Sequence, residues 1–132
     1  MDKKIRIMVA KVGCDIHERG ALTMMSVFRD AGMEVIYTGR YQTEVAVANA
    51  AITEDVDMII VSDLGGNMPL ICRKILAELK AQDVEIPLMC GGLMTEKDRR
   101  LLAEMGVRAS FPTGSSPDDC LKTVLEVAAE NR

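Results

Sequence analysis

Five short apolar runs, each followed by an amphipathic stretch, constrain the fold of this chain more than any other feature. The runs lie at about residues 4–10, 33–37, 56–62, 86–90 and 107–111. Their length and their Val, Ile and Met content are typical of buried strands. Strands that alternate with helices predict an α/β fold, and right-handed crossovers then require a parallel sheet with helices on both faces.

The stretches between these runs carry the start and stop signals of helices. The first helix is predicted over about 18–31, the third over 68–81 and the fourth over 95–105. Thr43 and Ser116 are suited to be the N-caps of the second and fifth helices, and Thr95 with Asp98 predicts a capping box. Each predicted strand is therefore followed by its own helix.

Five strands in this order fit a flavodoxin-like (Rossmann-like) sheet with the strand order 2-1-3-4-5. The ligand cleft of such a sheet opens where the strand order reverses, beside the first and third strands. Those strands are predicted to end near Lys11 and Ser62. No linker, charge block or low-complexity segment interrupts the pattern, so we expect one domain over residues 1–132.

Composition excludes several classes of function. The 16 basic residues are outnumbered by 20 acidic ones, and the net charge of -4 argues against nucleic-acid binding. No segment is long and apolar enough for a membrane span. The four cysteines form no C-x-x-C pair, which favours reduced, mostly buried thiols in a cytoplasmic protein.

A polar loop, Lys11-Val-Gly-Cys-Asp15-Ile-His17-Glu-Arg-Gly20, follows the first strand and contains the only histidine. It lies on a strand-to-helix turn, where parallel sheets place ligands. Residues two apart on an extended loop point the same way, so Asp15 can accept a hydrogen bond from one ring nitrogen of His17. The other nitrogen is then available to bind a metal.

Two other site types are disfavoured. Cys14-x-x-His17 has the spacing of a zinc-ligand pair, but a zinc site needs three or four donors and no other cluster is present. Gly65-Gly66 lacks the spacing of both the dinucleotide-binding and the Walker loops. The sequence therefore gives no indication of zinc, NAD or nucleoside triphosphates.

The loop motif D-x-H-x-x-G resembles the lower-ligand loop of cobalamin-binding domains. Ser62-x-Leu64 after the third strand, Gly91-Gly92 after the fourth and 111–115 after the fifth match the same family in order. The segment 29–39, followed by Gln42-Thr43, resembles the small subunit or C-terminal domain of methylmalonyl-CoA mutase and related acyl-CoA mutases. The resemblance covers nearly the whole chain.

The resemblance implies a cobalamin site in which His17 is the lower axial ligand of cobalt, supported by a relay through Asp15 and Lys11. Gly20 would admit the displaced nucleotide tail, and Ser62 would hydrogen-bond its dimethylbenzimidazole. The complete set of cofactor-binding residues implied in this way is Lys11, Asp15, His17, Glu18, Arg19, Gly20, Ser62, Leu64, Gly65, Gly91, Gly92, Phe111, Gly114 and Ser115.

The family further implies an adenosylcobalamin-binding small subunit of a two-subunit acyl-CoA mutase, an isomerase whose large barrel subunit binds the substrate. The alternatives are a corrinoid methyl carrier for a methyltransferase and a non-catalytic cobalamin sensing or delivery module. Cys14, Ile16 and Asn67 stand where the family more often has other residues. None of these departures removes a proposed ligand.

Overall fold

A five-stranded parallel sheet forms the centre of the computed structural model, which describes residues 4–13, 17–40 and 42–131. The strand order is β2-β1-β3-β4-β5, as predicted, and the flavodoxin-like fold is confirmed. The strands are β1 Arg6–Ala10, β2 Glu34–Tyr37, β3 Met58–Asp63, β4 Leu88–Gly92 and β5 Ala109–Pro112.

A helix follows each strand. The helices are α1 Arg19–Asp30, α2 Glu44–Thr53, α3 Met68–Ala81, α4 Glu96–Met105 and α5 Pro117–Glu130. Thr43 and Ser116 accept hydrogen bonds from the first turns of α2 and α5, and Thr95 forms the predicted capping box with Asp98. Among the described residues, no helix has both the length and the apolar character needed to cross a membrane.

Residues that alternate along the strands point into two separate layers. Met8, Ile59 and Cys90 pack beneath α2, α3 and α4, whereas Ile7, Ile60 and Met89 pack beneath α1 and α5. Because side chains alternate across a strand, each buried strand supplies both layers, which explains why the strands are apolar throughout. Cys72, Cys90 and Cys120 are buried free thiols.

Four strands, β1, β3, β4 and β5, begin two residues later than their apolar runs predicted, and β5 shows one reason. Val107 is apolar, but its backbone N–H donates to Leu102 O at 3.0 Å and so completes the end of α4. The residue before it, Gly106, has a φ of 103°, which favours glycine. The apolar run therefore includes the helix stop as well as the strand.

Candidate functional site

A cavity of about 370 Å³ lies between the sheet and the N-terminal parts of α1 and α5, at the carboxyl ends of the strands. Its floor is formed by Val9 of β1, Ile60 and Ser62 of β3, Gly91 of β4 and Phe111 of β5. These residues lie on the α1 and α5 side because their parity along the strands places them there. The cavity therefore continues the layer of Ile7 and Met89 toward the carboxyl ends of the strands.

One wall of the cavity is α1. Gly20, Thr23 and Met24 line it from positions three and four apart, which share one helix face. A Cβ added to Gly20 would meet nothing within 4 Å, so the protein's own packing does not require glycine there. The missing side chain leaves the cavity wider.

The glycines of β4 differ in what they do. At Gly92 the φ is 139° and an added Cβ would lie 1.9 Å from Asp63 O, so the sheet itself requires glycine. At Gly91 the corresponding distance is 3.5 Å, to Phe111 O, which is ordinary contact. Gly91 therefore opens the cavity floor, whereas Gly92 permits the close approach of two strand ends.

His17 is exposed and contributes to the cavity lining just before α1 begins at Arg19. Among the described residues, no group of three or more His, Cys, Asp and Glu side chains could hold a metal ion. A single imidazole beside an apolar cavity instead suits a metal that carries its other ligands with it. The role of His17 as a metal ligand remains a prediction.

The structure brings ten of the predicted site residues together around this cavity: His17, Arg19, Gly20, Ser62, Leu64, Gly91, Gly92, Phe111, Gly114 and Ser115. Asp15 lies outside the described residues, as do Cys14 and Ile16. The predicted contact between Asp15 and His17 remains a prediction.

Three predicted site residues do not line the cavity. Lys11 is fully buried at the end of β1, and its backbone N–H donates to Thr38 Oγ1 at 3.2 Å. An added Cβ on Gly65 would lie 3.2 Å from Asp63 Oδ1, so this glycine sits tightly over a buried carboxylate. Any cofactor contact of these residues would therefore lie outside the cavity.

Glu18 also faces away from the cavity, toward the end of β2. Its carboxylate accepts a hydrogen bond from the Tyr37 hydroxyl through Oε2 and pairs with Arg40 Nε at 3.2 Å through Oε1. Although Glu18 occupies the N-cap position of α1, its side chain makes no capping bond. Its carboxylate thus links the start of α1 to the end of β2.

Several cavity residues were not identified from the sequence: Thr23, Met24, Thr113, Pro117 and Cys120. Met24 shares a helix face with Ala21 and Phe28, and these two residues are buried whereas Met24 is only partly so. The available sequence signal was the four-residue spacing from Gly20, which places Met24 on the same helix face.

Two of the buried thiols, Cys72 and Cys120, are poor nucleophiles. Burial raises the pKa of Cys120, and the nearby Asp119 raises it further. A hydrogen bond with Cys90 raises the pKa of Cys72, and burial adds to the shift. Both thiols therefore stay protonated near neutral pH, and Cys120 offers the cavity a small, weakly polar surface.

Comparison with known proteins places the whole cavity within one family match. The family model of the B12 binding domain matches residues 5–121. The 2-hydroxyisobutanoyl-CoA mutase small subunit of Aquincola tertiaricarbonis is 35% identical over 126 residues, which cover 95% of this chain and 93% of that protein. The pivalyl-CoA mutase small subunit of Xanthobacter autotrophicus is 34% identical over 131 residues, with 98% and 88% covered.

Among solved structures, a cobalamin-binding protein from Desulfitobacterium hafniense DCB-2 superposes with a TM-score of 0.81 at 16% identity. The match covers 95% of this chain and 60% of that one. At this identity the likeness concerns the fold alone.

Proposed function

The chain belongs to the B12-binding domain family, and on that premise we propose that it is the cobalamin-binding small subunit of a two-subunit acyl-CoA mutase. The observation that supports this most strongly is the cavity behind His17, with its apolar floor and the openings at Gly20 and Gly91. An imidazole at the mouth suits a cobalt ligand, and the space behind it suits the displaced nucleotide tail.

The family relatives favour the mutase over the two alternatives. Both small subunits compared above are mutase components, and this chain covers 93% and 88% of their lengths. A separate large subunit is therefore the expected partner. A methyl carrier or a sensing module receives no comparable support.

Within the proposed site, His17 would hold the cobalt from below. Asp15 would accept a hydrogen bond from the other ring nitrogen and so fix the ring's orientation and raise its basicity. Ser62 lines the cavity floor, and its hydroxyl would hydrogen-bond a nitrogen of the dimethylbenzimidazole. The aliphatic and aromatic lining from Val9, Ile60 and Phe111 would exclude water from that base.

When bound, adenosylcobalamin supplies a carbon-centred radical that abstracts hydrogen from the substrate. The described residues show no constellation of cations and polar groups suited to an acyl-CoA. This chain would therefore supply the cofactor platform, and the large barrel subunit would bind the substrate. The buried free thiols fit a reducing compartment, and a cytoplasmic location is part of the proposal.

Reconstitution tests this function directly. The purified chain and a candidate mutase large subunit from the same organism are assayed for acyl-CoA isomerisation with adenosylcobalamin. We expect turnover only when both proteins are present, and loss of turnover with His17→Ala. Turnover by either protein alone, or methyl transfer in place of isomerisation, would contradict the proposal.

A further inference from the structure

The last residue of β2 and the segment that follows it contact both ends of the loop that carries His17. Before the loop, Lys11 N donates to Thr38 Oγ1 at 3.2 Å and Gly13 N donates to Gln42 O at 2.8 Å. After the loop, the Glu18 carboxylate accepts a hydrogen bond from the Tyr37 hydroxyl and forms an ion pair with the Arg40 guanidinium. We call Tyr37, Thr38, Arg40 and Gln42 the clamp.

Glu18 is the residue through which the clamp reaches His17. Both of its carboxylate oxygens are engaged, one by each partner, and its side chain is only 28% exposed. Hydrogen bonds to an ionised carboxylate are stronger and more directional than those between neutral groups. A residue held at both oxygens constrains the backbone of its neighbour, which is His17.

We propose that Tyr37 and Arg40 are positioning residues that hold the imidazole of His17 where it can ligate cobalt, acting through Glu18. The inference rests on the proposed cobalamin function. Glu18 was implied to contact the cofactor. Its carboxylate instead contacts Tyr37 and Arg40, so in this proposal Glu18 connects these two residues to His17.

Tying both ends of the loop to one segment has an energetic consequence for binding. A ligand side chain that is already placed loses less conformational freedom when the metal arrives, so the affinity is higher. The bond from Gly13 N to Gln42 O joins two backbone groups and resists substitution. The Tyr37 and Arg40 bonds use side chains, and these can be removed singly.

The test exploits the fact that His17 is the only histidine in the chain. In tag-free, labelled protein without cofactor, its imidazole gives one Cε1–H resonance in NMR spectra. Tyr37→Phe removes only the hydroxyl, and we expect it to shift that resonance. The control is Arg108→Gln, which breaks an ion pair with Glu130 at the opposite edge of the sheet, where Arg108 is 35% exposed against 39% for Arg40.

The second readout is cobalamin binding. We expect Tyr37→Phe and Arg40→Gln each to raise the Kd for cobalamin by about three- to tenfold, the range of one typical hydrogen bond, because the bond acts on the ligand indirectly. The fraction of Co(II) that shows histidine nitrogen coupling in EPR should fall in parallel. Arg40→Lys should restore part of the loss, since an ammonium can still pair with Glu18.

The outcomes distinguish the positioning role of the clamp from the proposed cobalamin-binding function. If the imidazole resonance, the Kd and the EPR pattern of Tyr37→Phe and Arg40→Gln all match wild type, the clamp does not position His17. A shifted resonance with an unchanged Kd would also overturn the proposal. If Tyr37→Phe fails to fold, the exposed Arg40 variants still decide it. Failure of the wild type to bind cobalamin refutes the proposed function instead, while the NMR arm still reports on the clamp.

Discussion

At the carboxyl ends of the strands, the two faces of the sheet differ in how completely the chain packs them. Beneath α2, α3 and α4, buried side chains extend to Ala10 at the carboxyl end of β1, and Cys72 of α3 lies against Cys90 of β4. Beneath α1 and α5 the core ends earlier, and the cavity of about 370 Å³ occupies the remaining space. We refer to these as the filled face and the open face.

The difference separates residues that serve folding from residues that are free to serve a ligand. On the filled face, side chains meet one another, so their identity is constrained by packing. On the open face near the strand ends, Gly20 and Gly91 omit side chains that the protein has room to hold. The open face is therefore the part of the molecule that a cofactor would complete.

The largest contrast is expected between the two adjacent glycines of β4. Gly92→Ala places a Cβ 1.9 Å from Asp63 O at a φ of 139°, so we expect it to lower the free energy of unfolding by about 4 kcal/mol or more. Gly91→Ala meets no such clash and should cost about 1 kcal/mol or less. It should nevertheless weaken cobalamin binding, because its methyl group enters the cavity floor.

Denaturant unfolding of both variants, with a cobalamin titration of Gly91→Ala, measures this contrast. Equal stability losses at the two positions would mean that Gly91 is also a packing requirement. Wild-type cobalamin affinity in Gly91→Ala would remove that glycine from the site.

Truncation of one large side chain on each face gives the next largest difference. Ile75 is fully buried in α3 on the filled face, and Ile75→Ala should cost about 2–5 kcal/mol through lost contacts and a new cavity. Met24 already borders a cavity and is only partly buried, so Met24→Ala should cost about 1 kcal/mol. Urea unfolding in the absence of cofactor compares the two, and equal losses would show that the open face is as tightly packed as the other.

Alkaline pH should destabilise the filled face through its thiols. Cys72 has a folded-state pKa above its unfolded value of 9.0, raised by its hydrogen bond with Cys90 and by burial. Above about pH 9 the unfolded chain releases the Cys72 proton while the folded chain keeps it. The free energy of unfolding is therefore unaffected by this thiol below about pH 9 and falls as the pH rises above it. The slope per thiol reaches at most about 1.4 kcal/mol per pH unit.

Measurement of the free energy of unfolding at pH values below and above about 9 tests whether stability falls at alkaline pH and which thiol causes the fall. Cys72→Ala should reduce the alkaline fall in the free energy of unfolding, and it should do so more than Cys120→Ala. Cys120 has a pKa that is raised mainly by burial. An unchanged decline in Cys72→Ala would show that other groups cause it.

The smallest expected effect on stability has the opposite sign. Gly20 lies in the first turn of α1 with nothing within 4 Å of an added Cβ. Gly20→Ala should therefore stabilise the cofactor-free protein by about 0.5 kcal/mol, because alanine favours helix, and at the same time should weaken cobalamin binding. Ser26→Ala, on the exposed side of the same helix, is the control. Loss of stability in Gly20→Ala would contradict the free space that we describe.

Strand periodicity and cap chemistry are local signals, and they predicted the strand order and the helix caps. The ten predicted residues around the cavity were implied by the resemblance to cobalamin-binding domains. It did not separate Gly91 from Gly92, since the clash at Gly92 arises from Asp63 on another strand. It likewise assigned Glu18 to the cofactor, because the partners of that carboxylate, Tyr37 and Arg40, come from β2 and its following segment. What sequence reasoning missed are contacts between distant segments.

The most direct test of the central claim is the Co(II) EPR spectrum of cobalamin bound to the protein, recorded for wild type and for His17→Ala. We predict a base-off absorption spectrum with coupling to one histidine nitrogen in wild type, and loss of that coupling in the variant. A spectrum that retains the cofactor's own dimethylbenzimidazole on cobalt, or one that His17→Ala leaves unchanged, would contradict the claim that the open face binds the displaced tail with His17 on the metal.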